Sequence, residues 1–86
     1  HWMTKSDDYI LEVLDEFNGT LSLRGIEVNS ELFGRRVPYS TIQDRVPKLI
    51  EGGLIETVDE HEQWYLITEE GSAYLDGDHM PLNLED

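Results

Sequence analysis

Five of the chain's six Lys and Arg side chains fall in one stretch: Arg24, Arg35, Arg36, Arg45 and Lys48. Guanidinium and ammonium groups donate hydrogen bonds and accept none, so their chemistry is the binding of phosphate and carboxylate oxygens. With three acids in the same stretch (Glu27, Glu31, Asp44) they leave a local net charge of +2. The rest of the chain, with one cation and sixteen acids, carries −15. A charge cluster can be a plain solvated face. Against so acidic a background, a local site for phosphates is the stronger reading. Tyr39, Ser40, Thr41, Gln43 and Asp44 lie among these cations. They are the hydrogen-bonding types that contact phosphates and base edges.

Catalytic chemistry has no comparable footing. The chain has no cysteine, which removes disulfides, thiolate zinc sites and a Cys nucleophile together. There is no glycine-rich phosphate loop. His61 and His79 are solitary, and the many carboxylates single out no acid/base pair. Acidic clusters could hold K⁺ or Na⁺ loosely, but none is spaced like a calcium loop. The expectation is a protein that is no enzyme and carries no cofactor or structural metal.

The polar candidates need a helix to present them. Ile42, Val46, Leu49 and Ile50 repeat at helical spacing and predict a buried stripe on a helix over about 40–52. Ser40 is the expected N-cap, with Gln43 completing a capping box. Gly52-Gly53 stops the helix. Thr41, Asp44 and Lys48 then stay exposed, flanked by Gln43 and Arg45. Such a helix suits a DNA major groove, and an ordinary surface helix is the equal alternative on these residues alone. Pro47 falls inside it, where proline removes one backbone bond and clashes with the carbonyl four residues back. Because the apolar stripe continues in phase, a kink is expected, not a break.

The chain's 86 residues suffice for one small domain. His1-Trp2 before Met3 reads as a vector-derived remnant and start methionine, leaving 4–77 as the domain and 78–86 as a tail, disordered or docked on a neighbour. No apolar run is long enough to span a bilayer and no signal or lipidation pattern is present, so a soluble cytoplasmic protein with no membrane partner is the expectation. The net charge of −13, with lysine limited to Lys5 and Lys48, fits a protein working in molar salt. Self-repulsion there is screened over about 3 Å. The competing reading is a mimic of nucleic acid or a binder of a basic partner.

In chain order, Ser6 is the expected cap of a first helix over about 7–17. Ile10, Val13, Leu14 and Phe17 face its core side and Asn18-Gly19 ends it. Tyr9 and Leu11 lie at the edges of that stripe, open to a partner copy. A second helix is expected from Leu23 to about Phe33, capped by Ser22, with a strand over Leu21–Ile26 as the alternative. Val37, pushed into extended conformation by Pro38, is expected to bridge to a sheet. Leu54–Val58 and Trp64–Ile67 are β-rich around the polar tip Asp59–Gln63 and predict an antiparallel hairpin. Thr68 caps a last short helix.

Helix, helix, helix, hairpin and short helix is the order of an α+β winged helix-turn-helix domain: a three-helix core, a two-stranded β-hairpin wing and a short C-terminal helix. The resemblance extends to residues. Tyr-Ser-Thr-Ile-x-x-Arg-Val-x-x-Leu-x-x-x-Gly-Leu-Ile-Glu (Tyr39 to Glu56) resembles the recognition helix and first wing strand of archaeal winged-helix regulators. Trp-Tyr-Leu-Ile-Thr-Glu-Glu-Gly-x-x-Tyr-Leu (Trp64 to Leu75) is similar to their second strand and following helix. The chain resembles the haloarchaeal phage-repressor-like winged-helix family over most of Asp7–Gly77. That resemblance implies a transcription regulator, by expectation a repressor, that binds double-stranded DNA as a homodimer on inverted repeats. It puts Tyr39, Ser40 and Thr41 at the groove end of the helix. Gln43, Asp44 and Lys48 reach bases or flanking phosphates, and Arg35 and Arg36 clamp phosphates beside Arg24. Arg45 either joins them or packs along the core edge holding a carboxylate. His61 and Gln63 are the wing candidates. The acidic tip departs from the basic wings that enter minor grooves, which keeps open a second function: a protein-interaction winged helix whose acidic surface binds a basic partner.

Overall fold

The computed structural model describes residues 2–58 and 61–77. The element order is α1 (Lys5–Phe17), α2 (Leu23–Leu32), α3 (Tyr39–Glu51), β1 (Ile55–Val58), β2 (His61–Ile67) and α4 (Glu69–Leu75). This is an α+β winged helix-turn-helix arrangement. Residues 78–86, the expected tail, lie outside the described residues.

The core is built from the periodic apolar positions. Ile10, Val13 and Leu14 of α1, Ile26 of α2 and Ile42, Val46 and Leu49 of α3 are buried, together with Val37, Leu54 and Ile55. Burial of each such side chain stabilises the fold by roughly 1.5–3 kcal/mol before chain entropy is counted. Two expectations for α1 are reversed. Leu11 is fully buried, not an edge residue, and Phe17 is 47 % exposed. The buried stripe of α1 is wider than one residue per turn because α2, α3, β2 and α4 all pack on it. Phe17 overhangs the end of the helix, where Asn18 takes the left-handed conformation and turns the chain away.

The helix starts also differ in detail. Thr4, not Ser6, caps α1: its hydroxyl accepts from the Asp7 N–H while the Asp7 carboxylate accepts from the Thr4 N–H, a reciprocal capping box. Ser22 caps α2 as expected, accepting from the Gly25 N–H. Ser40 does not cap α3. Pro38 stands at that position, with φ −61 and ψ 148, and no side chain caps the helix. Proline has its φ already set and its carbonyl accepts from the Ile42 N–H, so the helix starts at Tyr39. Ser40 is then inside the first turn, where its hydroxyl cannot reach forward. α3 runs through Pro47 unbroken, and Pro47 lies on the exposed face.

The hairpin is antiparallel, pairing Ile55 with Ile67, Glu56 with Leu66 and Thr57 with Tyr65, with a register shift before Val58 meets His61. The second strand therefore begins at His61, earlier than its aromatic run indicated. Val37 makes no bridge. Its N–H donates to the buried Ser30 hydroxyl at 2.9 Å, which in turn donates to the Glu27 carbonyl, locking the α2–α3 turn. The bridge to β2 comes instead from Leu21, which exchanges two backbone bonds with Tyr65 at 2.9 Å. One bridged residue is what exists of the strand alternative for Leu21–Ile26. Thr68 caps α4 as expected. Gly71 sits where a Cβ would lie 2.4 Å from the Leu54 carbonyl oxygen, so α4 can approach the hairpin only through a glycine.

The leading residues are not inert. Trp2 lies against Gly52 at the end of α3, its carbonyl accepts from Arg45, and Met3 packs on the core.

Candidate nucleic-acid interface

One face of α3 is polar and open. Ser40, Gln43, Asp44, Pro47 and Lys48 are exposed opposite the buried Ile42, Val46 and Leu49. Lys48 lies about 12 Å along the axis from Ser40, at 1.5 Å per residue. It sits in the last turn, where a cation complements the helix dipole. Thr41 is half-buried on the flank.

The N-termini divide the four helices into two kinds. α1 carries Asp7 and Asp8 in its first turn and α4 carries Glu69 and Glu70. α2 and α3 carry no acid there, and α3 has no capping side chain either. In a chain with 19 acids, the two helices of the helix-turn-helix unit are the ones whose positive ends stay uncompensated. First-turn N–H groups left without a side-chain acceptor are ready partners for a phosphate oxygen.

The cations are distributed differently from their spacing in sequence. Arg24, in the first turn of α2, stacks over the Tyr39 ring at 3.9 Å and its Nη1 donates to Glu27 at 2.7 Å. Arg36 reaches the other oxygen of the same carboxylate at 3.4 Å. Arg24, Arg36 and Tyr39 therefore meet at the junction of α2 and α3. Arg35, next to Arg36 in sequence, turns away. It pairs with Glu12 of α1 and lies near the Tyr9 ring, on the wall of a groove of about 470 Å³ that also carries Asp15, Glu16 and Asp76. The adjacent Arg35 and Arg36 are therefore held by different carboxylates, Glu12 and Glu27.

Arg45 takes the packing alternative. Its Nε and Nη2 donate to the two oxygens of the fully buried Asp7 at 2.8 and 2.9 Å, and Nη2 also reaches the Trp2 carbonyl at 3.2 Å. The hydrogen bond to Asp7 raises the Arg45 pKa against the opposing effect of burial, with the charges of Asp7 and Asp44 adding to it. This pair ties α1 to α3. Sequence spacing gave no sign that Asp7, a first-turn acid of α1, would be its partner. Nor did it single out Glu27 or Ser30, which organise the α2–α3 junction.

On the wing, Gln63 is exposed on β2. Residues 59 and 60 of the expected tip, and the side chain of His61, lie outside the described residues. Among the described residues no three His, Asp or Glu side chains converge on a metal position, and no helix is long and apolar enough to cross a membrane.

Compared with known families, residues 1–86 match the winged helix-turn-helix phage repressor family. No curated protein and no solved structure matches the chain.

Proposed function

The chain belongs to the winged helix-turn-helix phage repressor family, and from that premise we propose that it is a sequence-specific regulator of transcription that represses by occupying operator DNA. The observation that carries this reading is the junction of α2 and α3. There two acid-free helix N-termini, Arg24, Arg36 and Tyr39 flank the exposed face of α3. In this reading α3 lies in the major groove. Tyr39, Ser40 and Thr41 meet the backbone at its N-terminal end. Gln43 and Asp44 read base edges, Gln pairing with adenine and Asp accepting from the cytosine amino group. Arg24, Arg36 and Lys48 hold phosphates, while Arg35 and Arg45 stay with their carboxylates.

The protein acts as a homodimer on an inverted repeat, and Leu32 (74 % exposed), Val28 and Phe33 supply apolar surface for a second copy. It works in the cytoplasm of a halophilic archaeon, with K⁺ or Na⁺ among its carboxylates. The acidic wing does not enter the minor groove. In molar salt counterion release yields little, so affinity rests more on base-edge contacts, and salt inhibits binding less than for an ordinary repressor.

Selecting bound fragments from random duplex DNA in high KCl tests this. An enriched inverted repeat is the expected result, and a pool that stays random refutes sequence-specific binding. The second reading, an interaction domain for a basic partner, is favoured by the net charge of −13 and by the acidic groove beside Arg35. Changing Arg24, Arg36 and Lys48 to Ala separates the two: DNA retention lost with the fold intact favours the first, unchanged retention the second.

A further inference from the structure

We propose that Glu27 is a positioning residue that pre-aims Arg24 and Arg36 as a two-pronged clamp for one stretch of DNA backbone, an inference that rests on the DNA-binding reading above. The geometry is asymmetric. One carboxylate serves two guanidiniums, Oε1 taking Arg24 at 2.7 Å and Oε2 taking Arg36 at 3.4 Å. The Glu27 side chain is only 16 % exposed, whereas Arg24 and Arg36 are 65 % and 54 % exposed. The acid is held low and the cations stand above it. Each guanidinium has five donors and gives Glu27 one, so most of its donors remain for a ligand. The three groups sum to one positive charge.

Two further features separate this cluster from an ordinary surface ion pair. Arg24 stands in the first turn of α2, where the helix dipole disfavours a cation. A residue that breaks a local rule is kept for some other gain. Its guanidinium is also stacked on Tyr39, the first residue of α3, so its plane is fixed from a second side. Without Glu27 the two cations would repel and sample separate rotamers. With it, the ordering that a phosphate would otherwise impose on binding is already present in the free protein. Exposed pairs of this kind contribute little to stability, which leaves positioning as the role of the carboxylate.

The test uses the sign of an effect. Glu27→Gln removes a negative charge beside DNA, and simple electrostatics then requires tighter binding. Positioning requires weaker binding. Fluorescence anisotropy of the full chain on a labelled duplex of the enriched sequence should show affinity falling roughly tenfold, as the loss of ordering in two long side chains implies. Glu27→Asp, which keeps the charge but shortens the reach, should weaken binding too. In an Arg24→Ala/Arg36→Ala background Glu27→Gln should no longer weaken binding, whereas the loss from a merely structural role would persist there. Melting temperatures of both single variants should stay within a few degrees of the parent protein. Glu27→Gln binding as tightly as the parent or tighter overturns the inference alone, provided Arg36→Ala still loses affinity. A parent chain that retains no duplex overturns the DNA-binding reading and this inference together.

Discussion

Removing the Asp7 carboxylate should strongly destabilise the packing of α1 on α3. Asp7 is fully buried and accepts three hydrogen bonds: one from the Thr4 N–H at 2.8 Å and two from Arg45 at 2.8 and 2.9 Å. Asp7→Ala leaves the Arg45 guanidinium, 16 % exposed, with the Trp2 carbonyl alone. Breaking a buried pair from one side costs about 3–5 kcal/mol, and the partial exposure of Arg45 puts this case near 3. The lost half of the capping box adds about 1 kcal/mol. A domain of 86 residues has a total stability of roughly 4–13 kcal/mol, so the variant should lose about a third of it or more. At about 4–8 °C per kcal/mol, this loss of about 4 kcal/mol should lower its melting temperature by at least about 16 °C. Urea unfolding followed by circular dichroism measures the loss directly. Asp7→Leu combined with Arg45→Met should recover most of it, because the cost lies in the orphaned charge more than in the missing attraction. The reasoning fails if Asp7→Ala costs under about 1 kcal/mol, or if the double variant is no more stable than Asp7→Ala.

Arg36→Ala should weaken DNA binding across sequences and lower the log–log salt slope by about 1, while Arg35→Ala, whose side chain is held by Glu12, should leave both unchanged. Salt titrations of the two variants check this, and equal effects would restore the adjacent pair as one clamp. Burial, chiefly, together with the hydrogen bond to Asp8 and the charges of Asp8 and Asp7, pushes the Tyr74 hydroxyl well above its ordinary pKa of 10.0. A native pKa above the unfolded one gives stability that is complete below pH about 10 and is lost as pH rises beyond it. Unfolding midpoints measured from pH 9 to 11.5 should therefore decline, and Tyr74→Phe should flatten the decline. Gly71→Ala places a methyl 2.4 Å from the Leu54 carbonyl oxygen and 2.7 Å from Ile67. It should cost about 3 kcal/mol in denaturant unfolding, the upper end for overpacking, and a loss under about 1 kcal/mol would mean α4 can shift freely.

The elements were legible because each carries its own period and punctuation. The stripe Ile42, Val46, Leu49 survives the presence of Pro47, and Asn18, Ser22, Thr68 and Gly53 mark ends by local chemistry that needs no tertiary partner. What the sequence hid is set by contacts between elements. Ser40 fits a capping pattern, but Pro38 starts the helix two residues sooner. Leu11 is buried because four elements converge on α1, a fact absent from its own helical wheel. The basic cluster was visible as composition, yet its geometry was not. Adjacent Arg35 and Arg36 diverge, one to Glu12 of α1 and the other to Glu27 of α2, in a linker that leaves α2 through Gly34 at φ +82 and is fixed before α3 by the bond from Val37 to Ser30. The carboxylates that sort these arginines, Glu12, Glu27 and Asp7, are ordinary acids until the helices are packed.

In the proposed DNA-binding reading, that sorting lets so acidic a chain keep a face for another polyanion. Uniform acidity would repel DNA everywhere, and a uniformly basic patch would be pulled down onto neighbouring carboxylates. Here each arginine is given a defined carboxylate, and the difference lies in what remains open. Asp7 takes two donors of Arg45 in a buried pair, and Arg35 is drawn into a groove with Glu12, Asp15, Glu16 and Asp76. Glu27 alone is divided between two exposed guanidiniums and leaves a surplus positive charge. That surplus sits beside Tyr39 and between the two helix starts that carry no acid. Placement of carboxylates, more than the number of cations, defines the face: an added acid in the first turn of α3 should harm DNA binding more than the same charge added to α1 or α4, where the first turns are acidic already.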